Sequence, residues 1–381
     1  MIYLDNHATT PCDPRVVEAM LPYFSERYAN PASEIHRMGR EARIAVEKAR
    51  KQVAELVGAE SEEIIFTGSA TESNKLAILG LAISPGTQYR NHIFASSIEH
   101  KSVISPCRVL EQRGFDFKIL AVDKSGHVIK ERADEVLDDH SLLVSIQAAN
   151  NEIGTIQNIK TLSGIVHECG GLFHCDAAQA VGKIPIDVQV LNIDLMSISA
   201  HKMYGPKGIG ALYIRGGGGN AKLKPILYGG DQEFGLRAGT LNVPLIVGFG
   251  EACRIAVSEM KEEAKRLSLI RDELETKLIY NVPGIKINGD LKNRLPNNSS
   301  ITLPGIDAES LIMSLPDIAL SSGSACNSGA QEPSYVLKAI GLSYDEAKST
   351  FRIGLGRFNT STEIESAAAA IFAGIDVLLK K

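Results

Sequence analysis

The chain of 381 residues is long enough for two or three domains, and its 44% hydrophobic and 22% charged residues are typical of a globular protein with a core. The formal net charge of −5 argues against direct binding to nucleic acid, and no apolar run reaches the ~18 residues that a bilayer-spanning helix needs. The N-terminus has no basic stretch before an apolar run, so we expect no signal peptide. Six cysteines without a C-x-x-C pair predict reduced thiols in a cytoplasmic protein.

The N-terminal two thirds of the chain alternates helical patterns with short apolar runs. Apolar residues recur at helical spacing between Ala42 and Leu56, and candidate strands lie at 64–66, 93–95, 117–122, 142–146, 172–174, 195–198 and 210–214. Most of these runs are continuously apolar, as expected of strands that helices cover on both faces. The pattern predicts an α/β fold with a mostly parallel sheet.

The pattern changes after Pro244. A charged amphipathic segment over 251–278 predicts a long helix that could link two domains, and strands are expected near 285–287 and 300–303. Thr360 and Glu363 have the spacing of a capping box, which predicts the start of a final helix. We therefore expect a smaller α+β domain in this part of the chain.

Motifs for nucleotides and metals do not occur in the sequence. Gly182-Lys183 precedes Ile184 and so lacks the hydroxyl residue of a phosphate-binding P-loop, and no G-x-G-x-x-G is present. None of the nine histidines lies in an H-E-x-x-H motif, and we expect no metal site.

A lysine directly after an apolar strand is the first candidate for chemistry. Lys202 follows Ser199 and His201 and precedes a Gly-Pro turn. A lysine more often lies on a solvated helix face, but an amine that is desolvated beside another potential cation can form a Schiff base. The neighbours favour the second interpretation.

An acid and a helix start could complete a cofactor site. Asp176 suits a helix N-cap, but it equally suits the anion that faces the protonated ring nitrogen of pyridoxal phosphate, and Gln179 could reach the ring hydroxyl. The segment 67–73 follows the strand at 64–66 and predicts the start of a helix. Its free N–H groups and hydroxyls could bind a phosphate, although a plain helix cap gives the same pattern.

Seven blocks of sequence, in order and over essentially the whole chain, carry a family resemblance. They are Asp5-Asn6-His7-Ala8-Thr9-Thr10, Ser69-Ala70-Thr71-Glu72-Ser73-Asn74, Asn150-Asn151-Glu152-Ile153-Gly154, His174–Gln179, His201-Lys202, Gly235-Leu236-Arg237-Ala238-Gly239-Thr240 and Ser322-Gly323-Ser324-Ala325-Cys326. Together they resemble the pyridoxal-phosphate-dependent cysteine desulfurases. The resemblance implies the α/β fold of the fold-type I transferases, in which a large cofactor-binding domain over 15–258, with a mostly parallel seven-stranded sheet, is joined by a small α+β domain from 1–14 and 259–381.

The resemblance also implies roles for particular residues. Lys202 would bind the aldehyde of the cofactor, Asp176 would pair with the ring nitrogen, and Gln179 would pair with the ring hydroxyl. His100 would stack on the ring and transfer protons. The remaining cofactor contacts would come from Ala70, Thr71, Asn151, Ser199, His201 and, across a homodimer, Thr240 of the partner subunit.

The same resemblance suggests how L-cysteine would bind. Asn30, Asn151 and Arg352 are candidates for contacting the substrate, and an arginine suits its carboxylate because the guanidinium fork donates two hydrogen bonds. Arg357 is the competing choice, since spacing alone does not separate the two arginines.

Cys326 is the candidate nucleophile, and it lies in a run of small and polar residues over 320–330. Cysteines are commonly inert core thiols, and that interpretation suits the other five: Cys12, Cys107, Cys169, Cys175 and Cys253. A thiol in a polar loop is accessible for chemistry. The resemblance implies that Cys326 takes the sulfur of L-cysteine as a persulfide, leaves L-alanine and passes the sulfur to an acceptor protein.

The sequence departs from the family's housekeeping members in three places. Phe234 stands where an arginine is usual, Asp231 adds an acid, and only 29 residues follow Arg352, which shortens the segment that docks an iron–sulfur scaffold. The acceptor could therefore serve iron–sulfur assembly, tRNA thiolation or DNA phosphorothioation, reached through a protein partner. Two alternative functions are a selenocysteine lyase and a non-catalytic binding platform.

Overall fold

The computed structural model describes residues 1–84, 89–220, 222–322 and 333–379. Within them the strands are β1 (Ile2–Tyr3), β2 (Ile64–Thr67), β3 (His92–Ser96), β4 (Asp116–Leu120), β5 (Ser141–Ser145), β6 (Leu172–Asp176), β7 (Leu195–Ser199), β8 (Gly210–Ile214), β9 (Lys286–Ile287), β10 (Asn298–Thr302), β11 (Ile318–Ala319) and β12 (Thr350–Gly354). The helices are α1 (Pro14–Met20), α2 (Pro22–Ser25), α3 (Arg37–Val57), α4 (Ala70–Ala82), α5 (Lys101–Glu111), α6 (Lys130–Val136), α7 (Ile159–Glu168), α8 (Val243–Asn281), α9 (Ala308–Met313), α10 (Tyr335–Ala339), α11 (Tyr344–Lys348) and α12 (Ser361–Leu379).

Seven strands form the central sheet in the order β2-β8-β7-β6-β5-β3-β4. Neighbouring strands from β7 to β4 pair in parallel, whereas β8 pairs antiparallel with both β2 and β7. Six of the seven strands therefore run in one direction. This confirms the predicted mostly parallel seven-stranded sheet, and each strand lies within two residues of its predicted position.

Helices cover both faces of this sheet, which explains why its strands are apolar along their length. In β2, Ile64 and Phe66 pack in a cluster that also holds residues of α3 and α8. The intervening Ile65 packs in another cluster, with residues of α4 and α5. Because successive side chains of a strand point to opposite faces, both faces must be apolar when both are buried.

The C-terminal part of the chain has a cluster of its own. There β10 pairs antiparallel with β9 and β12, and β1 pairs parallel with β11. The predicted long helix is confirmed as α8, which begins eight residues earlier than expected. Its Phe249 packs in the main core and its Leu274 in the C-terminal cluster, so one helix spans both.

Two further predictions about helices are confirmed. Thr360 and Glu363 form the capping box of α12, in which each side chain accepts the backbone N–H of the other. Ser69 caps α4 by accepting the N–H of Glu72, so the segment 67–73 does lead into a helix. No helix among the described residues has the length and apolar character to cross a membrane.

The carboxyl ends of the parallel strands create the place for a site. β2, β3, β5, β6 and β7 end at residues 67, 96, 145, 176 and 199, along one edge of the sheet. Ligands of open α/β sheets bind at this edge because the loops that leave the strands meet there. The predicted site residues between positions 70 and 202 follow, or end, these strands.

Candidate active site

A cavity of about 350 Å³ lies at this edge of the sheet. Ten of the predicted site residues line it: Ala70, Thr71, His100, Asn151, Asp176, Gln179, Ser199, His201, Lys202 and Arg352. They end or follow five different strands, apart from Arg352, which lies in β12. The structure therefore brings together residues that are up to 282 positions apart in the sequence.

Lys202 is held by the N-terminal segment of the chain. It ends a 3-10 turn, Ala200–Lys202, that directly follows β7. Its Nζ donates hydrogen bonds to the carbonyl oxygens of His7, at 2.6 Å, and Ala8, at 2.7 Å. The lysine is partly buried and lines the cavity, so it is not a solvated surface side chain.

Asp176 is fixed by two donors. Its Oδ2 accepts from Asn74 Nδ2 at 2.8 Å, and its Oδ1 accepts from the N–H of Ala178 at 3.0 Å. Asn74 is fully buried in α4, and the same amide nitrogen donates to Ser102 Oγ at 2.7 Å. The carboxylate is thus held in one orientation at the end of β6.

His100 is oriented by the same network. It caps α5, where its Nδ1 accepts the backbone N–H of Ser102 at 3.1 Å and lies 2.7 Å from Ser102 Oγ. Because Nδ1 accepts from a backbone N–H, the proton of the neutral ring resides on Nε2. Asn74 and Ser102 therefore connect His100 with Asp176.

The start of α4 has the features of an anion site. The N–H groups of Ala70 and Thr71 lie in its first turn, where they have no partner within the helix, and the helix dipole is positive there. Ser199 Oγ is buried and has no hydrogen-bond partner among the described residues. A Cβ on Gly210 would lie 2.8 Å from the carbonyl carbon of Ser69, so glycine lets β8 approach this loop closely.

Two histidines near the cavity are neutral. Burial, together with the positive charges of Lys202 and Lys207, lowers the pKa of His201 to about 4, and its Nδ1 lies 3.0 Å from Thr9 Oγ1. Burial also lowers the pKa of His174 to about 4, although the charge of Asp176 opposes this. A neutral His201 is able to donate a hydrogen bond to an anion without adding a charge.

The two competing arginines have different surroundings. Arg352 lines the cavity, where it donates to the carbonyl of Asn151 at 2.8 Å and pairs with Asp5 at 2.7 Å. Its Nε is buried and has no hydrogen-bond partner in the described part of the chain. Arg357 does not line the cavity, because its guanidinium pairs with Asp13 and Glu263.

Several predicted residues lie elsewhere. Asn30 is exposed and lines a second cavity of about 420 Å³, together with Asp231 and Phe234. Thr240 is exposed and does not line the site of its own chain. Cys326 belongs to the segment 323–332, which is outside the described residues.

Sequence reasoning missed four residues that shape the site, namely His7, Asn74, Ser102 and Gln147. His7 lies far from the predicted strands in the sequence, so no local pattern indicates that it is near the site. Asn74 carries a clearer signal, because an asparagine on the buried face of an apolar helix needs polar partners.

The arrangement fits pyridoxal phosphate. The unpartnered Ser199 hydroxyl and the open first turn of α4 suit a phosphate, and the Asp176 carboxylate and the Lys202 amine line the same cavity. Fold and site together thus define a pyridoxal-phosphate enzyme. The aminotransferase class-V family model matches residues 2–366, and the chain belongs to that family.

Known proteins resemble the chain over 91–100% of its length. Cysteine desulfurase IscS of Rickettsia typhi is 47% identical over 379 residues, which cover 100% of this chain and 92% of that protein. The solved structure of a NifS-like protein has a TM-score of 0.92 at 38% identity and covers 99% of this chain and 100% of its own. DndA from Streptomyces lividans has a TM-score of 0.78 at 37% identity, over 91% of this chain and 97% of its own.

Proposed function

We infer that the protein is a pyridoxal-phosphate-dependent cysteine desulfurase. It converts L-cysteine to L-alanine and transfers the sulfur to a cysteine of the enzyme. The observation that carries this inference is the convergence of Lys202, Asp176 and His100 on one cavity beside a helix start that suits a phosphate. The relatives named cysteine desulfurase support the same activity at 46–47% identity.

We propose the following roles for the residues that hold the cofactor. Lys202 supplies the amine that bonds to its aldehyde, and Asp176 faces the ring nitrogen. Ala70, Thr71, Ser199 and His201 hold the phosphate, while Gln179 and Asn151 contact the ring. Pyridoxal phosphate supplies an electron sink for the bonds around the α-carbon of an amino acid.

His100 and Arg352 act on the substrate in this proposal. His100 lines the cavity and carries the proton of its neutral ring on Nε2, because Nδ1 accepts from Ser102; such a group suits proton transfer to or from a thiol. Arg352 receives the substrate carboxylate with the help of Asn151 and Asn30. Its unpartnered Nε supports this choice over Arg357, whose guanidinium already serves two carboxylates.

Cys326 is the proposed sulfur acceptor within the enzyme. The bond between the β-carbon and sulfur of L-cysteine breaks, a sulfur–sulfur bond forms on Cys326, and the β-carbon gains a proton to give L-alanine. One sulfur atom thus passes from substrate to enzyme, and Cys326–SH becomes Cys326–SSH without an added oxidant.

The test compares Cys326→Ala with Cys169→Ala, a half-buried cysteine outside the site. Cys326→Ala should retain the visible absorbance of the bound cofactor but release no L-alanine and form no persulfide, whereas Cys169→Ala should behave as wild type. Lys202→Ala should lose the absorbance band of the lysine-bound cofactor. Full L-alanine production by Cys326→Ala would exclude the assigned nucleophile.

We also propose a homodimer in which Thr240 completes the partner's site. Asn30 and Leu241, the neighbour of Thr240, both line the second cavity, which is not the one that Lys202 lines. This supports a surface at which two subunits meet. Inactive Lys202→Ala and Thr240→Val proteins would be mixed under conditions that exchange subunits. Activity should return, because each mixed dimer has one site with both residues intact. No recovery would place Thr240 in the site of its own chain, and full activity of Thr240→Val by itself would exclude Thr240 from any site.

The acceptor of the sulfur is proposed to be a protein, within iron–sulfur assembly, tRNA thiolation or DNA phosphorothioation. Enzyme loaded with labelled sulfur should transfer the label to this protein in a lysate, and Cys326→Ala should not. A cytoplasmic location is part of the proposal, and the five cysteines that the structure describes are free thiols, which supports it.

The division into domains remains a proposal as well, with 15–258 as the large domain and 1–14 with 259–381 as the small one. The separate cluster that joins Leu4 to residues 267–375 supports it. Leu295 and Val336 pack in the main core, so the proposed domains share apolar contacts. Hydrogen exchange should show the C-terminal cluster opening as one unit.

A further inference from the structure

A buried lysine without an assigned role lies behind the site. Lys183 follows β6 by seven residues and is 6% exposed. Its Nζ donates to Gln179 Oε1 at 2.8 Å. Among the described residues it forms no ion pair with a carboxylate, although an isolated ammonium is costly to bury.

His7 is a second donor to Gln179 Oε1. His7 Nδ1 lies 3.0 Å from Gln179 Oε1, and Asn298 Nδ2 lies 3.2 Å from His7 Nε2. Because the amide nitrogen of Asn298 donates to Nε2, the proton of the neutral His7 ring resides on Nδ1 and points to Gln179. Two N–H groups thus hold one amide oxygen.

The amide nitrogen of Gln179 is directed toward the lysine of the site. Its Nε2 donates to the carbonyl of His7 at 2.9 Å, and the same carbonyl accepts from Lys202 Nζ. An amide nitrogen carries two hydrogens, so one N–H of Gln179 is left for the cavity that it lines.

The surroundings explain how a lysine can serve as an internal donor. Burial, with the positive charges of Lys202 and Arg352, lowers the pKa of Lys183 well below its usual value, and Glu263 opposes this. Burial and the nearby cations also lower the pKa of His7, so the surroundings disfavour a positive charge on either group. The Lys183 amine donates hydrogen bonds whether or not it carries the extra proton.

We propose that Lys183 is a positioning residue that fixes the Gln179 side-chain amide with its oxygen turned away from the cofactor and its N–H toward it. The inference rests on the proposed function and adds to it a residue that determines whether Gln179 acts as a donor or an acceptor. A donor beside the ring oxygen stabilises the deprotonated form of that oxygen and so disfavours a proton on the neighbouring lysine–cofactor nitrogen.

The experiment is a pH titration of the visible absorbance of the holoenzyme, which reads the proton on that nitrogen directly. Lys183→Met keeps the apolar stem and removes the donor, and its midpoint should move upward by about one pH unit. Gln179→Ala should move the midpoint in the same direction. In the double variant, Lys183→Met should add no further shift, because Lys183 acts through Gln179.

Lys207→Met is the matched control, since it removes an exposed positive charge near His201 and should leave the midpoint unchanged. His7→Phe removes the other donor to the same oxygen, should shift the midpoint upward, and serves the test if Lys183→Met does not fold. An unchanged midpoint in Lys183→Met would overturn the proposal. An equal shift from Lys183→Met in the wild-type protein and in Gln179→Ala would overturn it as well. A wild-type protein without the absorbance band or L-alanine production would instead contradict the proposed function.

Discussion

Replacement of Glu99 by glutamine should stabilise the protein increasingly as the pH rises. The Glu99 side chain is fully buried, and one oxygen accepts from Ser96 Oγ at 2.6 Å and from the N–H of Gln147 at 2.8 Å. The other oxygen has no hydrogen-bond partner among the described residues. Burial, reinforced by the charge of Asp176, raises the pKa of Glu99 to about 8.

The size of the effect follows from the proton that the folded state retains. A raised pKa means that the contribution of this carboxyl to stability is fully present below its ordinary pKa and is lost as the pH rises toward about 8. The loss is about 1.4 kcal/mol per pH unit, or about 3 kcal/mol between about pH 5 and about pH 7.5. Glutamine has a similar shape and no proton to release, so it avoids this loss.

Unfolding by urea at these two pH values, for wild type and Glu99→Gln, measures the difference. Glu55→Gln is the control, because Glu55 is an exposed glutamate on α3 and its replacement should give the same small change at both pH values. The reasoning would be refuted if the advantage of Glu99→Gln were constant with pH or declined as the pH rose.

Three further predictions concern single side chains. Glu233→Ala should lower the free energy of unfolding by about 3 kcal/mol, because it removes the buried carboxylate that pairs with the Arg50 guanidinium at 2.7 Å and leaves the more exposed Glu47, at 3.1 Å, as its ion-pair partner. Chemical denaturation measures this loss, and a loss no larger than that of an exposed glutamate would contradict the prediction. Arg352→Lys should raise the KM for L-cysteine by roughly tenfold, because lysine lacks the guanidinium fork, whereas Arg357→Lys should change stability and leave KM near wild type; steady-state kinetics would show the reverse if Arg357 bound the substrate. Asn74→Ala should weaken cofactor binding roughly tenfold, since Asp176 loses a donor at 2.8 Å. Titration of the apoprotein with cofactor, followed by absorbance, measures the affinity, and an affinity equal to that of wild type would contradict the prediction.

The sequence allowed the sheet and most of the site to be predicted because both depend on local patterns. A strand buried on both faces leaves a continuous apolar run, and the polar residue that ends it lies at the edge where ligands bind. Asp176 and Lys202 each end or follow such a run, which is why their positions at the cavity could be expected.

The other features of the site depend on contacts between residues far apart in the sequence, which local patterns do not predict. His7 reaches Gln179 across 172 positions of the sequence, and Lys183 donates to the same side-chain oxygen. Arg352 and Arg357 are five residues apart with similar neighbours, yet Asp13 and Glu263 engage only Arg357. Tertiary packing therefore determines which of the two arginines lines the cavity.

The contact between residues 4–8 and β12 has a consequence for folding. Leu4 and Asn6 exchange backbone hydrogen bonds with Gly354, and Asn6 and Gly354 are 348 positions apart in the sequence. The carbonyls that anchor Lys202 belong to this same opening segment. Because contacts between positions so distant in the sequence form slowly, the wall of the cavity that anchors Lys202 should be among the last parts of the protein to assemble during folding.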